Sequence, residues 1–220
     1  MKNRMKLVEG LGVLVLALGL TELVLMVKSR PIAQYADLIL AGIWLYLPLI
    51  FILARKESLK HFAISNLNFW LSLKWLSLVS IIVFPAFYAL CAIGALKIFH
   101  YRFELTLPKN ILSLMIGQLL LVSLPEEWFF RGYLQGRLNQ FWSKSWKFLG
   151  AEIGPGLLLS ALLFALAHFS IRQTPDRFLV FFPALVFGWL REKTNSLLAP
   201  VLFHFISNLT FIIFQMSLVK

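Results

Sequence analysis

Three short stretches place side chains that can move protons inside runs that are otherwise apolar. The first is Pro125-Glu126-Glu127-Trp128-Phe129-Phe130-Arg131-Gly132. At about 100° per residue, Glu127 and Arg131 lie about 40° apart on a helix and can pair, whereas Glu126 points about 140° away from Arg131. One carboxylate is then neutralised, and its neighbour is left to face something else. Taken alone, the octet also fits two acids capping a helix N-terminus behind a proline. The second stretch is Phe164-Ala165-Leu166-Ala167-His168, where a lone histidine also fits a hydrogen-bonded packing residue. The third is His204-Phe205-Ile206-Ser207-Asn208, with His204 and Asn208 spaced i, i+4 on one face. Alone, that pair also fits hydrogen bonding between membrane helices.

Together the three are less ambiguous. A charge at the bilayer centre costs at least about 2.5–3.5 kcal/mol. Converging these groups around a wet cavity lets them satisfy one another. The chemistry that suits them is hydrolysis. It needs an activated water, donors for the oxyanion and a proton for the leaving amine. A carboxylate takes the water's proton best when its proton affinity is matched to the working pH. Glu126, free of Arg131, is the better base. Asparagine and histidine N–H groups suit an oxyanion, and losing one such donor typically costs on the order of 100- to 1000-fold. No serine or cysteine makes a convincing nucleophile: Cys91 has no acid or base within a helical turn, and Ser207 points away from Asn208. Two histidines and a glutamate also make a catalytic zinc set, but His-Glu-x-x-His is absent.

The elements that must hold these residues are membrane helices. Of 220 residues, 60% are hydrophobic and 14% charged, and the mean hydropathy is +0.80. A soluble domain is about 45–50% apolar and about 25% charged, so a soluble monomer, a disordered chain and a disulfide scaffold are all excluded. The net charge of +11 reads as Lys and Arg anchoring helix ends at anionic lipid rather than as a nucleic-acid surface.

Apolar runs predict spans at Leu7–Val27, Ile32–Ala54, Trp75–Leu96, Gly154–Ile171, Phe178–Leu190 and Thr194–Val219, with a further one starting at Asn110. Leu7–Val27 resembles the start of a signal peptide but lacks a cleavage site, and is read as a retained helix. Pro85 is expected to bend its helix. Ser65–Lys74 is mixed and aromatic, and reads as an interfacial approach. The expected fold is therefore all-α, a polytopic transmembrane bundle of about seven helices, or eight if Ser65–Lys74 is separate. Twelve Lys and Arg on the N-terminal side against eight on the other favour an inside N-terminus.

Glu-Glu-x-x-x-Arg, then Phe-x-x-x-His, then His-x-x-x-Asn, in that order, resembles the CAAX protease and bacteriocin-processing (Abi, Rce1-like) family of glutamate-dependent intramembrane proteases. The resemblance covers about Asn110–Ser217, including Arg131-Gly132-Tyr133-Leu134-Gln135 and Asn195–Pro200. It implies that Glu126 and His168 hold the attacking water and that His204 and Asn208 form the oxyanion hole. Glu127, Arg131 and Phe164 are then supporting residues, and the mechanism is metal-independent with no cofactor. It also implies a catalytic core at 110–220 behind a variable region at 1–109.

The expected partners are the bilayer and a membrane-anchored protein or peptide: a CAAX-like tail, a bacteriocin leader or a C-terminal sorting signal. The basic start, small size and single cysteine fit a prokaryotic cell membrane. Two alternatives use the same residues, a non-catalytic immunity or scaffolding protein of this fold and a small transporter. Tyr133 falls about 20° from Glu126 on an ideal helix, and reads as a cavity or belt residue. The enzymatic reading carries one structural requirement. Glu126 and His168 can meet only if the helix starting at Asn110 runs on through Arg131 to about Leu138, so that Glu126 sits near its middle. Arg137, Lys144 and Lys147 then mark its membrane exit.

Overall fold

The computed structural model describes residues 2–27, 33–63, 67–142 and 144–220. Among them are seven principal helices. These are α1 (Lys2–Met26), α2 (Ala36–Ala54), α3 (Phe69–Ile93), α4 (Ile111–Phe141), α5 (Pro155–Arg172), α6 (Phe181–Thr194) and α7 (Leu198–Met216). A π-helical turn, Gly94–Ile98, prolongs α3, and short 3-10 turns lie at Leu59–Phe62 and Pro175–Val180. Two antiparallel ribbons complete the fold: β1 (Arg102–Phe103) with β4 (Leu218–Val219), and β2 (Trp146–Phe148) with β3 (Ala151–Ile153). The protein is an all-α multi-pass membrane bundle. Five helices are long and apolar enough to cross a bilayer. With 18 and 14 residues, α5 and α6 are shorter.

Several expected boundaries move. The aromatic stretch before Trp75 is not a separate element from Phe69 on, because it forms the first turns of α3; Ser65 and Asn66 lie outside the described residues. The helix is unbroken across Pro85, which lies inside it. The apolar run 194–219 is not one helix. Thr194 ends α6, Asn195 turns in the left-handed region (φ 47°), and α7 starts at Leu198. Asparagine tolerates that conformation. The Ser196 hydroxyl accepts from the Leu198 N–H at 3.1 Å, serving the first turn of α7 as a cap does.

The required continuation is present. Helix α4 runs for 31 residues, with Glu126 the sixteenth. It is the centre of the bundle, and α1, α2, α5 and α7 pack around it. Close contacts fix its neighbours. A Cβ on Gly156 would fall 2.9 Å from the Asn139 backbone nitrogen, so only glycine lets the start of α5 sit on the end of α4. The Ser160 hydroxyl donates to the Phe130 carbonyl at 2.8 Å, and the Trp128 indole donates to the Leu45 carbonyl at 2.8 Å.

Arg137 does not reach out to lipid headgroups, since its side chain is fully buried. It bonds Glu9 at 2.6 Å and Glu57 at 2.5 Å, and Glu9 also takes Arg55 at 2.7 Å and the Tyr133 hydroxyl at 3.1 Å. A buried cation persists only when so paired. The acid Glu9, an apparent interruption of the first apolar run, is thus what ties α1 to α4. Glu57→Gln removes one of two carboxylates from Arg137. It is expected to cost about 1–2 kcal/mol, measured as a lower unfolding midpoint in detergent with the helical signal of the native state unchanged.

Candidate active site

The middle of α4, which carries Glu126, departs from ideal helix. Gln118–Ser123 and Trp128–Leu134 are π-helical, flanking one α-helical turn, Leu124–Glu127. A π-turn inserts an extra residue and recurs at functional sites. It also shifts the phase of everything after it. Tyr133, expected beside Glu126, is instead fully buried, its ring stacked on Phe62 at 5.9 Å. It faces the Glu9–Arg137 cluster and not the cavity.

Glu127 and Arg131 pair as their spacing predicts, at 2.8 Å, with both side chains no more than 1% exposed. Two rings bracket the guanidinium, Phe164 at 4.3 Å and Phe187 at 4.9 Å, an arrangement that favours a desolvated cation. A second N–H of Arg131 donates to the Ala184 carbonyl at 3.3 Å. The Glu127 Oε1 that accepts from Arg131 also accepts from Nδ1 of His204 at 2.8 Å. His204 lies flat on Phe187, with centroids 4.8 Å apart and planes 16° apart. So an Arg131–Glu127–His204 chain ties α4 to α7, and Phe164 of α5 and Phe187 of α6 supply its aromatic bed.

Glu126 faces the opposite partners. Its Oε2 lies 3.8 Å from Nε2 of His168 and 4.0 Å from Nε2 of His204. That oxygen is buried and has no hydrogen-bond partner among the described residues. His168 Nδ1 lies 3.0 Å from the Phe164 carbonyl. A carbonyl only accepts, so Nδ1 carries a hydrogen, and in the neutral form of the ring a bare Nε2 faces Glu126. Three side chains from three helices thus meet at one carboxylate oxygen.

The supporting residues divide. Phe164 is 2% exposed and touches the rings of Phe130, His168 and His204, so it packs the site as a wall. Asn208 donates at 3.1 Å to Gln118 Oε1 on α4. Gln118 and Phe187 were not anticipated. Gln118 had a signal, an amide in an apolar run; Phe187 had none, because an aromatic in an apolar helix looks like any other. Among the described residues, no group of three His, Cys, Asp or Glu side chains is arranged to hold a metal ion.

Burial along α4 is one-sided. Every residue from Glu127 to Leu138 is buried, and none from Ile111 to Val122 is. The side chains of Glu126 and His168 stay 22% and 27% exposed. The less covered side of Glu126 and His168 is thus the half of the bundle where α5 ends, four residues past His168. In a Cys91→Ser background, cysteine at His168 is expected to react with a water-soluble thiol reagent roughly tenfold faster or more than cysteine at Leu134. Equal rates would overturn this one-sided access. An apolar cavity of about 480 Å³, lined by Tyr88, Phe103, Thr210 and Phe214 among others, lies elsewhere. Its α7 residues, Thr210, Ile213 and Phe214, lie about 80–180° around that helix from His204.

Residues 108–210 match the family model described as Rce1-like, type II CAAX prenyl endopeptidase. No curated protein and no solved structure matches the chain.

Proposed function

With residues 108–210 Rce1-like, we propose that the protein is an intramembrane endopeptidase in which Glu126 is the base that activates water. The observation carrying this is the meeting of Glu126, His168 and His204 around one unpartnered carboxylate oxygen in the middle of a membrane helix. A gap of 3.8 Å is too long for a direct hydrogen bond but suits a shared water. Glu126 Oε2 and the bare Nε2 of His168 are both acceptors, so one water donates a hydrogen to each. Its lone pair is then left to attack.

The steps follow from these partners. As water adds to the scissile carbonyl carbon, its proton passes to Glu126. The carbonyl oxygen becomes an oxyanion and takes hydrogen bonds from Asn208 Nδ2 and His204 Nε2. His204 uses its Nδ1 hydrogen on Glu127, so Nε2 donates only when the ring is an imidazolium. Glu127, held by Arg131, supplies the negative partner that this ion needs. Glu126 then returns its proton to the departing amine nitrogen, and the C–N bond breaks.

The substrate is a membrane-anchored peptide, a CAAX-like tail, a bacteriocin leader or a C-terminal sorting signal. The setting that fits best is a prokaryotic cell membrane. The test is cleavage of a panel of membrane-anchored peptides by purified protein, beside Glu126→Ala and His204→Ala, with and without chelator. Cleavage lost in both variants and kept under chelator supports the proposal. Cleavage undiminished in Glu126→Ala refutes it. Loss on chelation alone turns the reading to a metalloprotease.

A further inference from the structure

Gln118 is the one side-chain amide in the apolar first half of α4, Ile111–Val122, where a polar group is expensive unless it has a task. Its partner is Asn208, whose Nδ2 donates to Gln118 Oε1 at 3.1 Å across the α4–α7 interface. Asn208 stands one turn beyond His204 on the same face of α7. An asparagine amide donates only from its nitrogen, and that nitrogen carries two hydrogens. With one hydrogen committed to Gln118, the plane of the amide is fixed and the second hydrogen has a set direction. Without the acceptor, the group can rotate and offer Oδ1 where a donor is required.

We propose that Gln118 is a positioning residue, which holds the Asn208 amide with a free N–H turned toward the developing oxyanion. This rests on the peptidase reading above. Gln118 sits in the exposed half of α4, so it lies on the side from which a substrate reaches Glu126. The π-helical segment Gln118–Ser123 begins at this residue, so its altered phase sets where Glu126 falls around the helix relative to Gln118.

The test uses Gln118→Met, which removes the acceptor at similar volume, and Gln118→Glu, which keeps an oxygen there. Gln118→Met is expected to lower kcat roughly fivefold to tenfold with KM unchanged, and Gln118→Glu to recover part of that. In an Asn208→Ala background, Gln118→Met should cost nothing more, because the two act as one unit. A second readout does not need activity. In protein labelled with ¹⁵N-asparagine, the side-chain resonances lost in Asn208→Ala should shift in Gln118→Met and move back in Gln118→Glu.

Resonances indifferent to Gln118, or losses that add in the double variant, overturn the proposal. Faster cleavage by Gln118→Met also overturns it, since Gln118 would then be occupying the substrate carbonyl's place. Failure of the peptidase reading is separate. It shows as cleavage undiminished in Glu126→Gln, while the resonances still report the Gln118 contact.

Discussion

Glu126→Gln is expected to give a folded protein with cleavage reduced by about 10²–10⁴-fold, the usual worth of a general base. The substitution suits the site because it changes one atom's chemistry and little else. Glu126 Oε2 has no hydrogen-bond partner among the described residues, so no internal bond is broken. The side chain is 22% exposed, and the new amide can reach water. The unfolding midpoint should therefore stay close to that of the wild type. The catalytic loss has a specific cause: an amide cannot take the proton that water must surrender. His168→Ala should be milder, since it removes only the second acceptor for that water. A Glu126→Gln protein that still cleaves would place the base elsewhere, and a protein that fails to fold would make Glu126 structural.

Much of this arrangement was legible because membranes make polarity costly. Glu126, Glu127, Arg131, His168, His204 and Asn208 stood out as polar groups in apolar runs, and i, i+4 spacing predicted the Glu127–Arg131 pair before any coordinates. The requirement that α4 continue past Arg131 followed from asking Glu126 and His168 to cooperate, because otherwise they lie near opposite faces of the membrane. What was not legible depended on phase and on partners distant in sequence. Tyr133 was misplaced because the rule of 100° per residue fails across the π-helical Trp128–Leu134. Glu9 looked like a flaw in an apolar run, since its partners Arg137 and Arg55 lie 128 and 46 positions away. Arg137 looked like an interfacial anchor for the same reason. Periodicity identifies which residues share a face; it does not identify the other helix's residue on which that face rests.

The Glu127–Arg131 pair allows stability and catalysis to be separated. Arg131→Met leaves Glu127 buried with His204 as its one remaining partner among the described residues, and Glu127→Gln leaves a fully buried guanidinium against two rings and a carbonyl. Removing one partner of a buried pair typically costs about 3–5 kcal/mol, whereas replacing both is often nearly neutral. Each single variant should therefore unfold at markedly lower temperature in detergent, and the double variant should recover most of that loss. Activity should not follow. Without a carboxylate on its Nδ1, His204 loses both its orientation and the charge that favours its imidazolium. Orienting acids of this kind are worth up to about 10⁴-fold in kcat. A double variant that is stable yet inactive would assign Glu127 to holding His204 as well as to neutralising Arg131. A double variant that recovers both stability and cleavage would reduce the pair to packing and remove Glu127 from the mechanism. The comparison decides the matter because the two roles of Glu127 use the same oxygen, Oε1, which accepts from both Arg131 and His204 at 2.8 Å.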